Sequence, residues 1–215
     1  MTKAFAKTVQ VDPRSSVQGV HSSTAAHSLG AVFLVGFMGA GKTSVGRVLG
    51  QRLNWLFEDL DDRIQAREGR SVPEIFCDSG EVAFRRAEHA ALRELLEQLH
   101  GGDRKIVALG GGAFVQKENS SLLADSGMPV VFLDAPVDEL WQRCCLQAGD
   151  QKAGRPLLRS QDEFRQLYRN RRHAYERASV QIETGNRTVE TVADEIVKTL
   201  GLTEIAIRAD EGEVE

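Results

Sequence analysis

Residues 36–43, with the sequence GFMGAGKT, carry the most specific chemical signal in the chain. They match G-x-x-x-x-G-K-[ST], the pattern of a loop that binds phosphate between a buried strand and a helix. Its glycines allow a tight turn that exposes backbone N–H groups, and the start of the following helix adds partial positive charge. Lys42 is expected to reach the β- and γ-phosphates, and the Thr43 hydroxyl to bind Mg²⁺. The residues predicted to contact the nucleotide here are Gly39, Ala40, Gly41, Lys42, Thr43 and Ser44.

Other nucleotide sites fit this segment less well. A dinucleotide-binding loop requires G-x-G-x-x-G, and Ser44 stands where its third glycine belongs. The Asn-Lys-x-Asp and Asp-x-x-Gly strings of GTPases do not occur, and neither does the Ser-Gly-Gly signature of ABC-type ATPases. A glycine-rich turn that binds nothing is the plain alternative. The pattern in its context favours a kinase that phosphorylates a small molecule.

Carboxylates follow the second predicted strand, in the sequence FEDLDD at 57–62. A kinase needs a proton acceptor beside the incoming hydroxyl, and the carboxyl ends of parallel strands face the ligand crevice. Asp59 and Asp61 alternate along what we expect to be an extended chain, so both side chains are predicted to face that crevice. Asp62 is instead expected to lie in a solvated turn that caps the next helix.

Positive charge and bare backbone are available to hold an anionic substrate. Arg85 and Glu88 lie three residues apart on a predicted helix and can pair, although a surface ion pair would contribute at most about 1 kcal/mol. Three consecutive glycines at 110–112 directly follow a predicted strand. Glycines remove side chains where the backbone approaches another group closely, whereas a simple strand-to-helix turn normally needs only one.

Two further arginines stand in unusual surroundings. Arg171 falls within the apolar stripe of a predicted helix at 161–177, so its guanidinium must reach past the stripe or meet an anion. The polar segment at about 146–160 is predicted to be a mobile lid that carries Arg155 over the transferred phosphoryl group, and an ordinary surface loop is the alternative. Four other arginines are expected on solvated faces: Arg165, Arg169, Arg172 and Arg177.

Apolar runs that alternate with amphipathic segments must position these residues. The runs show little polar alternation, which is typical of a parallel sheet covered on both faces. The predicted strands are 31–35, 54–59, 105–109, 129–133 and 179–183. The predicted helices, from apolar spacings of three and four, are 42–53, 81–99, 137–147, 161–177 and 188–200. This succession predicts an α/β fold with a doubly wound sheet.

The composition is that of an ordinary globular domain, with 41% hydrophobic and 27% charged residues and a formal net charge of −4. This acidity argues against binding of duplex nucleic acid. No run reaches the roughly 18 apolar residues of a membrane span, and the N-terminus lacks the apolar core of a secretory signal. Three cysteines without metal-ligand spacing suggest free thiols, so we expect a cytoplasmic protein. Residues 1–29 are predicted to form a flexible extension, and 203–215 an acidic tail.

Together these segments resemble the shikimate kinase family. The shared strings are FLVGFMGAGKTSVGR, DLDDRI, GEVAFRRAE, LGGGA, RPLL and RNRRHAYERA, and they extend over residues 31–201. The resemblance implies a three-layer P-loop kinase fold, with a five-stranded parallel sheet, a lid and a small substrate-binding helical region in a domain at 30–202. It also implies Mg²⁺-dependent transfer of the γ-phosphate of ATP to the 3-hydroxyl of shikimate, a step of chorismate and aromatic amino acid biosynthesis. We expect a monomer whose partners are these two small molecules, with neither nucleic acid nor membrane.

The resemblance implies roles for the residues around the transferred phosphate. Asp61 would hold the accepting hydroxyl and take its proton. Asp59 would contact Mg²⁺ through water, alongside Thr43. Arg155 would come from the lid to the phosphate that Lys42 contacts.

Binding of the two substrates is implied in the same way. Arg85 and Arg171 would hold the substrate carboxylate, and Arg143 and Arg187 would flank the adenine. The lid after Arg143 is longer than in many members of the family, which bears on the role of that residue. The carboxylate pocket would be shaped by three glycines: Gly110, Gly111 and Gly112.

Several alternatives stay open at this point. Another small-molecule kinase of the same fold, such as a gluconate kinase, would share the phosphate-binding loop but need not place two arginines beside three glycines. A non-catalytic regulator that binds metabolites would not need Lys42, Asp61 and Arg155 together. A nucleic-acid kinase would need a basic stripe with interleaved aromatic residues, which this sequence lacks. Asp134, in VVFLDAP, resembles a Walker B aspartate, but we expect it to begin the next helix.

Overall fold

The computed structural model describes residues 30–99, 104–148 and 160–203. The strands are β1 Ala31–Val35, β2 Leu56–Asp59, β3 Lys105–Ala108, β4 Val130–Asp134 and β5 Val180–Glu183. They form one parallel sheet in the order β2-β3-β1-β4-β5. Every residue of β1 and β4 is buried, and successive side chains point to opposite faces, so both faces of the sheet are covered. The predicted α/β fold with a five-stranded parallel sheet is confirmed.

Seven helices lie in the described ranges. They are α1 Lys42–Leu53, α2 Leu60–Glu68, α3 Val72–Gln98, α4 Lys117–Asp125, α5 Val137–Ala148, α6 Gln161–Tyr175 and α7 Val189–Leu200. Periodicity did not single out α2 and α4, because each has nine residues and buries only two of them. So short a helix carries too little apolar pattern to be recognised.

Helix α3 begins nine residues before its predicted start at residue 81. Ser71 and Glu74 form a capping box at its N-terminus, and the backbone at Gly80 is non-helical, with a φ of 78°. The turns before Gly80 bury only Ile75, so they lack the apolar periodicity on which the prediction rested. The kink separates this first part from the long amphipathic part that carries Arg85.

The turn from β2 into α2 differs from its prediction. Asp59 ends the strand and caps the helix, because its carboxylate accepts a hydrogen bond from the backbone N–H of Asp61 at 3.1 Å. Asp61 therefore lies in the first turn of α2, and the predicted extended chain between these residues is wrong. Asp62 is exposed in the same turn and is not the cap.

Asp134 connects three elements and does not begin α5, which starts at Val137. Its buried carboxylate accepts hydrogen bonds from the Tyr168 hydroxyl at 2.9 Å, from Arg172 at 3.0 Å and from Gln181 at 3.1 Å. The prediction that Asp134 starts the helix is wrong. Arg172, predicted on a solvated face, is 38% exposed but directs part of its guanidinium to Asp134. The network fixes α6 against β4 and β5.

Some predicted regions fall outside the described residues. These are the extension at 1–29, the part of the lid between 149 and 159 with Arg155, and the acidic tail from residue 204 onward. No helix within the described ranges has the length and apolar character needed to cross a bilayer.

Candidate active site

A crevice of about 590 Å³ opens where β1, β2 and β3 end. Its volume lies in the range of small-molecule sites in proteins. The position of the crevice in the fold also indicates a ligand site, because ligands of open α/β sheets bind beyond the carboxyl ends of the strands. The lining residues are Met38, Lys42, Thr43, Asp59, Asp61, Val72, Pro73, Phe76, Phe84, Arg85, Glu88, Leu109, Gly110, Gly111, Gly112 and Arg171.

The phosphate-binding loop joins β1 to α1 at one end of the crevice. Gly36, Gly39 and Gly41 have φ angles of 144°, 81° and 90°, which residues with a side chain rarely adopt. A Cβ atom at Gly36 would lie 2.6 Å from the carbonyl oxygen of Leu133, and one at Gly39 would lie 2.7 Å from that of Leu140. The loop therefore has a shape that these glycines permit and that larger residues would disrupt.

Lys42 lies in the first turn of α1 and folds back over the loop. Its Nζ atom donates hydrogen bonds to the carbonyl oxygens of Gly36 and Phe37, at 3.0 and 3.1 Å. Burial lowers the pKa of Lys42 from its ordinary value of 10.5, and the carboxylates of Asp59 and Asp61 oppose this effect. The ammonium group thus lies between the loop and the carboxylates of the crevice.

Thr43 and Asp59 form an oxygen-rich pair beside Lys42. The Thr43 hydroxyl donates to one carboxylate oxygen of Asp59 at 3.2 Å. No cluster of three or more His, Cys, Asp or Glu side chains that could hold a metal occurs in the part of the chain that the structure describes. Mg²⁺ usually binds through one or two protein oxygens and completes its shell with water and substrate phosphates. The hydroxyl and the carboxylate fit this mode of binding.

Asp61 carries a buried oxygen without a hydrogen-bond partner in the described structure. A Cβ atom at position 110 would lie 2.8 Å from this oxygen, Oδ1, so any residue larger than Gly110 would displace the carboxylate. Burial raises the pKa of Asp61 above its ordinary value of 3.8, and the charge of Asp59 adds to the effect. An unsatisfied carboxylate oxygen with a raised pKa is suited to accept a hydrogen bond and then a proton.

Arg85 and Glu88 form an ion pair along one wall of the crevice. The Arg85 Nη1 atom lies 2.9 Å from Glu88 Oε2, and Gln116 donates to the same oxygen. Glu88 is fully buried, so the alternative of a surface ion pair is wrong. Burial raises the pKa of Glu88 to about 7, although Arg85 opposes the shift. A Cβ atom at Gly112 would lie 2.6 Å from both Nη atoms of Arg85, so the glycine makes room for the guanidinium.

Arg171 reaches the same wall from α6. Its Nη1 atom donates to the carbonyl oxygen of Gly111 at 3.2 Å, and its guanidinium carbon lies 5.9 Å from the centre of the Phe37 ring. The Tyr175 hydroxyl donates to the same carbonyl oxygen. Burial raises the pKa of Tyr175 to about 12, so this hydroxyl remains protonated at neutral pH. Two side chains of α6 therefore hold the middle glycine of the triplet.

Arg143 and Arg187 lie outside the crevice lining, near the loop between β5 and α7. Arg143 donates to the Thr184 carbonyl oxygen at 2.7 Å and to the Gly39 carbonyl oxygen at 3.4 Å. Arg187 donates to the Glu183 carbonyl oxygen at 2.9 Å. The two arginines thus flank a loop that adjoins the phosphate-binding loop, on the side away from Arg85.

Two of the remaining predicted nucleotide contacts, Ala40 and Ser44, differ in their exposure to solvent. Ala40 is buried in the phosphate-binding loop, while the Ser44 side chain is exposed in the first turn of α1. Arg155 lies outside the described residues.

Glu88 and Tyr175 belong to the site but were not predicted as site residues. Glu88 falls on the same helical face as Phe84 and Leu92, both of which are buried. An acidic residue on an apolar face is the signal that could have identified it. Tyr175 gave no such signal, because an aromatic residue in an apolar stripe is usually a core residue.

Comparisons with known proteins point to one family. The sequence model of the family described as shikimate kinase matches residues 38–201. The shikimate kinase of Thermus thermophilus is 40% identical over 172 residues, which is 79% of this chain and 89% of that protein. The solved structure of the shikimate kinase from Acinetobacter baumannii in complex with shikimate is similar with a TM-score of 0.71 and 34% identity, over 80% of this chain and 93% of that one. Every crevice residue lies within the matched segment.

Proposed function

Because the chain belongs to the shikimate kinase family, we propose that it transfers the γ-phosphate of ATP to the 3-hydroxyl of shikimate, giving shikimate 3-phosphate and ADP. The observation that carries this proposal is the arrangement of one crevice. A phosphate-binding lysine lies at one end, two arginines form the far wall, and Asp61, with an unpaired oxygen, lines the space they share. A cytoplasmic location and a monomeric state stay predictions of the sequence.

The triphosphate of ATP would occupy the loop between β1 and α1. Backbone N–H groups and Lys42 would bind its β- and γ-phosphates, and Thr43, together with Asp59 through water, would hold Mg²⁺. The bound Mg²⁺ would supply positive charge to the β- and γ-phosphate oxygens. Arg155 of the lid would contact the transferred group, while Arg143 and Arg187 would flank the adenine. Lys42 would then exchange its bonds to the loop carbonyls for bonds to phosphate.

Asp61 would act at the acceptor. Its unpaired oxygen would accept a hydrogen bond from the 3-hydroxyl of shikimate and orient that oxygen toward the γ-phosphorus. As the new oxygen–phosphorus bond forms and the bond between the γ-phosphorus and the bridging oxygen breaks, the hydroxyl proton passes to the carboxylate. The raised pKa of Asp61 favours this transfer, because a stronger base takes the proton more readily.

The carboxylate of shikimate would bind between Arg85 and Arg171. Both guanidiniums lie against the glycine triplet, Arg85 beside Gly112 and Arg171 on the carbonyl of Gly111. Guanidinium groups form paired, charge-assisted hydrogen bonds with carboxylates. Gluconate also carries one carboxylate, so the two arginines would distinguish it from shikimate only by where they hold that carboxylate relative to Asp61. The acceptor therefore has to be tested directly.

We expect ATP consumption by the purified protein to depend on shikimate as acceptor. A coupled assay of ADP formation with shikimate or gluconate measures this, and chelation of Mg²⁺ with EDTA is expected to stop turnover. Equal rates with gluconate would support another kinase of this fold. Binding of both substrates without turnover would support the non-catalytic regulator.

We expect the affinity for shikimate to decrease as the pH rises from 6 to 8. Glu88 becomes ionised near its pKa of about 7 and then partly neutralises Arg85. If the bound carboxylate raises the pKa of Glu88 by about one unit, the affinity decreases by about fivefold over this range. Titration calorimetry with shikimate at several pH values measures the change.

The variant Glu88→Gln is expected to bind shikimate with little pH dependence, because it imitates the protonated form. Glu81→Gln is the matched control, since Glu81 is the exposed partner of Arg85 and its loss should leave the dependence near pH 7 in place. Ionisation of Glu88 also affects the stability of the fold. The pKa of Glu88 is about 7 in the folded protein and 4.5 ordinarily, so the free energy of unfolding should fall as the pH rises from 4.5 to about 7. Glu88→Gln should remove that fall. If the shikimate affinity of Glu88→Gln depended on pH as steeply as that of the unsubstituted protein, this role of Glu88 would be contradicted.

A further inference from the structure

The loop between β5 and α7 is held from one side by a carboxylate of α5. The backbone N–H of Asn186 lies 3.0 Å from Glu139 Oε1 and 3.2 Å from Oε2. Asn186 has a φ of 52°, in the left-handed region that non-glycine residues seldom adopt. A Cβ atom at Gly185 would lie 2.9 Å from Cδ of Pro136 and 3.2 Å from Glu139 Oε2, so the loop packs closely on the start of α5. Glu139 thus stabilises an unusual backbone conformation.

The same carboxylate fixes Arg143. The Arg143 Nη2 atom lies 2.5 Å from Glu139 Oε1 and 2.7 Å from the Thr184 carbonyl oxygen. The Nη1 atom lies 3.4 Å from both the Thr184 hydroxyl and the Gly39 carbonyl oxygen. The guanidinium therefore bridges the phosphate-binding loop and the β5–α7 loop. Glu139 accepts hydrogen bonds from this guanidinium and from the backbone N–H of Asn186 in the β5–α7 loop.

We infer that Glu139 is a positioning residue for nucleotide binding, which it serves by holding Arg143 and the backbone of Asn186 in one fixed arrangement. This inference rests on the proposed function, in which ATP lies on the phosphate-binding loop with its adenine near Arg143. Glu139 is absent from the crevice lining, so it acts through Arg143 and the loop and not on the acceptor. Loss of its charge would leave the guanidinium with neutral oxygen acceptors alone, among the contacts described for it.

The variant Glu139→Gln tests this directly, because it keeps the shape and removes the charge. A carboxamide is uncharged, and with its oxygen at the Oε1 position its NH2 group would lie where Oε2 now is, 3.2 Å from the backbone nitrogen of Asn186, so that two donors face each other. We expect the Kd for MgADP, measured by titration calorimetry without any acceptor, to rise about tenfold. The KM for shikimate is expected to stay near that of the unsubstituted protein, because Glu139 does not line the crevice.

Asp138→Asn is the matched control, since it neutralises the neighbouring residue of α5, whose ion pair with Arg165 points to α6. Its Kd for MgADP is expected to be unchanged. An unchanged Kd in Glu139→Gln would overturn the inference. Equal losses of nucleotide and shikimate binding, or an equal loss in Asp138→Asn, would also overturn it, because they would indicate general loosening of the fold.

A second measurement asks whether Glu139 acts through Arg143. In an Arg143→Ala background, Glu139→Gln should weaken MgADP binding much less than it does alone, because the shared contact is already lost. Full additivity of the two changes would contradict the inference. The proposed function fails separately: the unsubstituted protein would bind MgADP normally but show no ATP turnover with shikimate.

Discussion

Asp61→Asn is expected to lower kcat about 1000-fold, because the hydroxyl proton of the acceptor then has no carboxylate to receive it. An amide can still accept the hydrogen bond that orients the hydroxyl, so the KM for shikimate should change little. Lys42 and the phosphate-binding loop are untouched, and nucleotide affinity should be retained. Turnover is measured with the coupled assay of ADP formation, and nucleotide affinity by calorimetry.

The same substitution should not destabilise the protein. Asp61 has a buried oxygen with no partner in the described structure, and burial raises its pKa, so the ionised form costs folding free energy. A neutral amide avoids this cost above the ordinary pKa, and the melting temperature at pH 8 should equal or exceed that of the unsubstituted protein. Asp62→Asn, which changes the exposed neighbour in the same turn, is the control and should keep its kcat. A kcat of Asp61→Asn close to that of this control would refute the role of Asp61.

Gly112→Ala is expected to weaken shikimate binding about 100-fold, the second largest effect, because it displaces a charged hydrogen-bond donor. The added methyl group would lie 2.6 Å from both Nη atoms of Arg85. These atoms are the end of a flexible side chain, so Arg85 can move aside while the backbone stays in place. We therefore expect a higher KM for shikimate with an unchanged Kd for MgADP. Calorimetric titration with each ligand separates the two effects.

Gly111→Ala provides the comparison within the same triplet. A Cβ atom there would lie 3.6 Å from Arg171 and 3.7 Å from the Tyr175 hydroxyl, which are ordinary van der Waals distances. Its effect on the KM for shikimate should be much smaller than that of Gly112→Ala. Equal effects of the two substitutions would show that the glycines act through backbone flexibility and not through the space that Arg85 needs.

Features that depend on neighbouring residues in the chain could be predicted well. The phosphate-binding loop follows from three glycines with positive φ between a buried strand and a helix, and both flanking elements have their own apolar pattern. Strand β1 and helix α1 have the predicted bounds, 31–35 and 42–53. The turn after β2 was predicted incorrectly, because Asp59 caps a helix with too few apolar residues to be noticed.

The sequence by itself determined the alternation of strands and helices, hence the parallel sheet and the edge at which a nucleotide would bind. Only the tertiary structure decided which charged residues meet at that edge. Glu88 is buried and Arg85 half-buried because α3 packs so that Gly112 lies against the guanidinium, a contact between residues far apart in the chain. Arg172, beside Arg171, turns to Asp134 instead. Helical spacing gives the direction of a side chain on its own helix, but its partner depends on how that helix packs against the others.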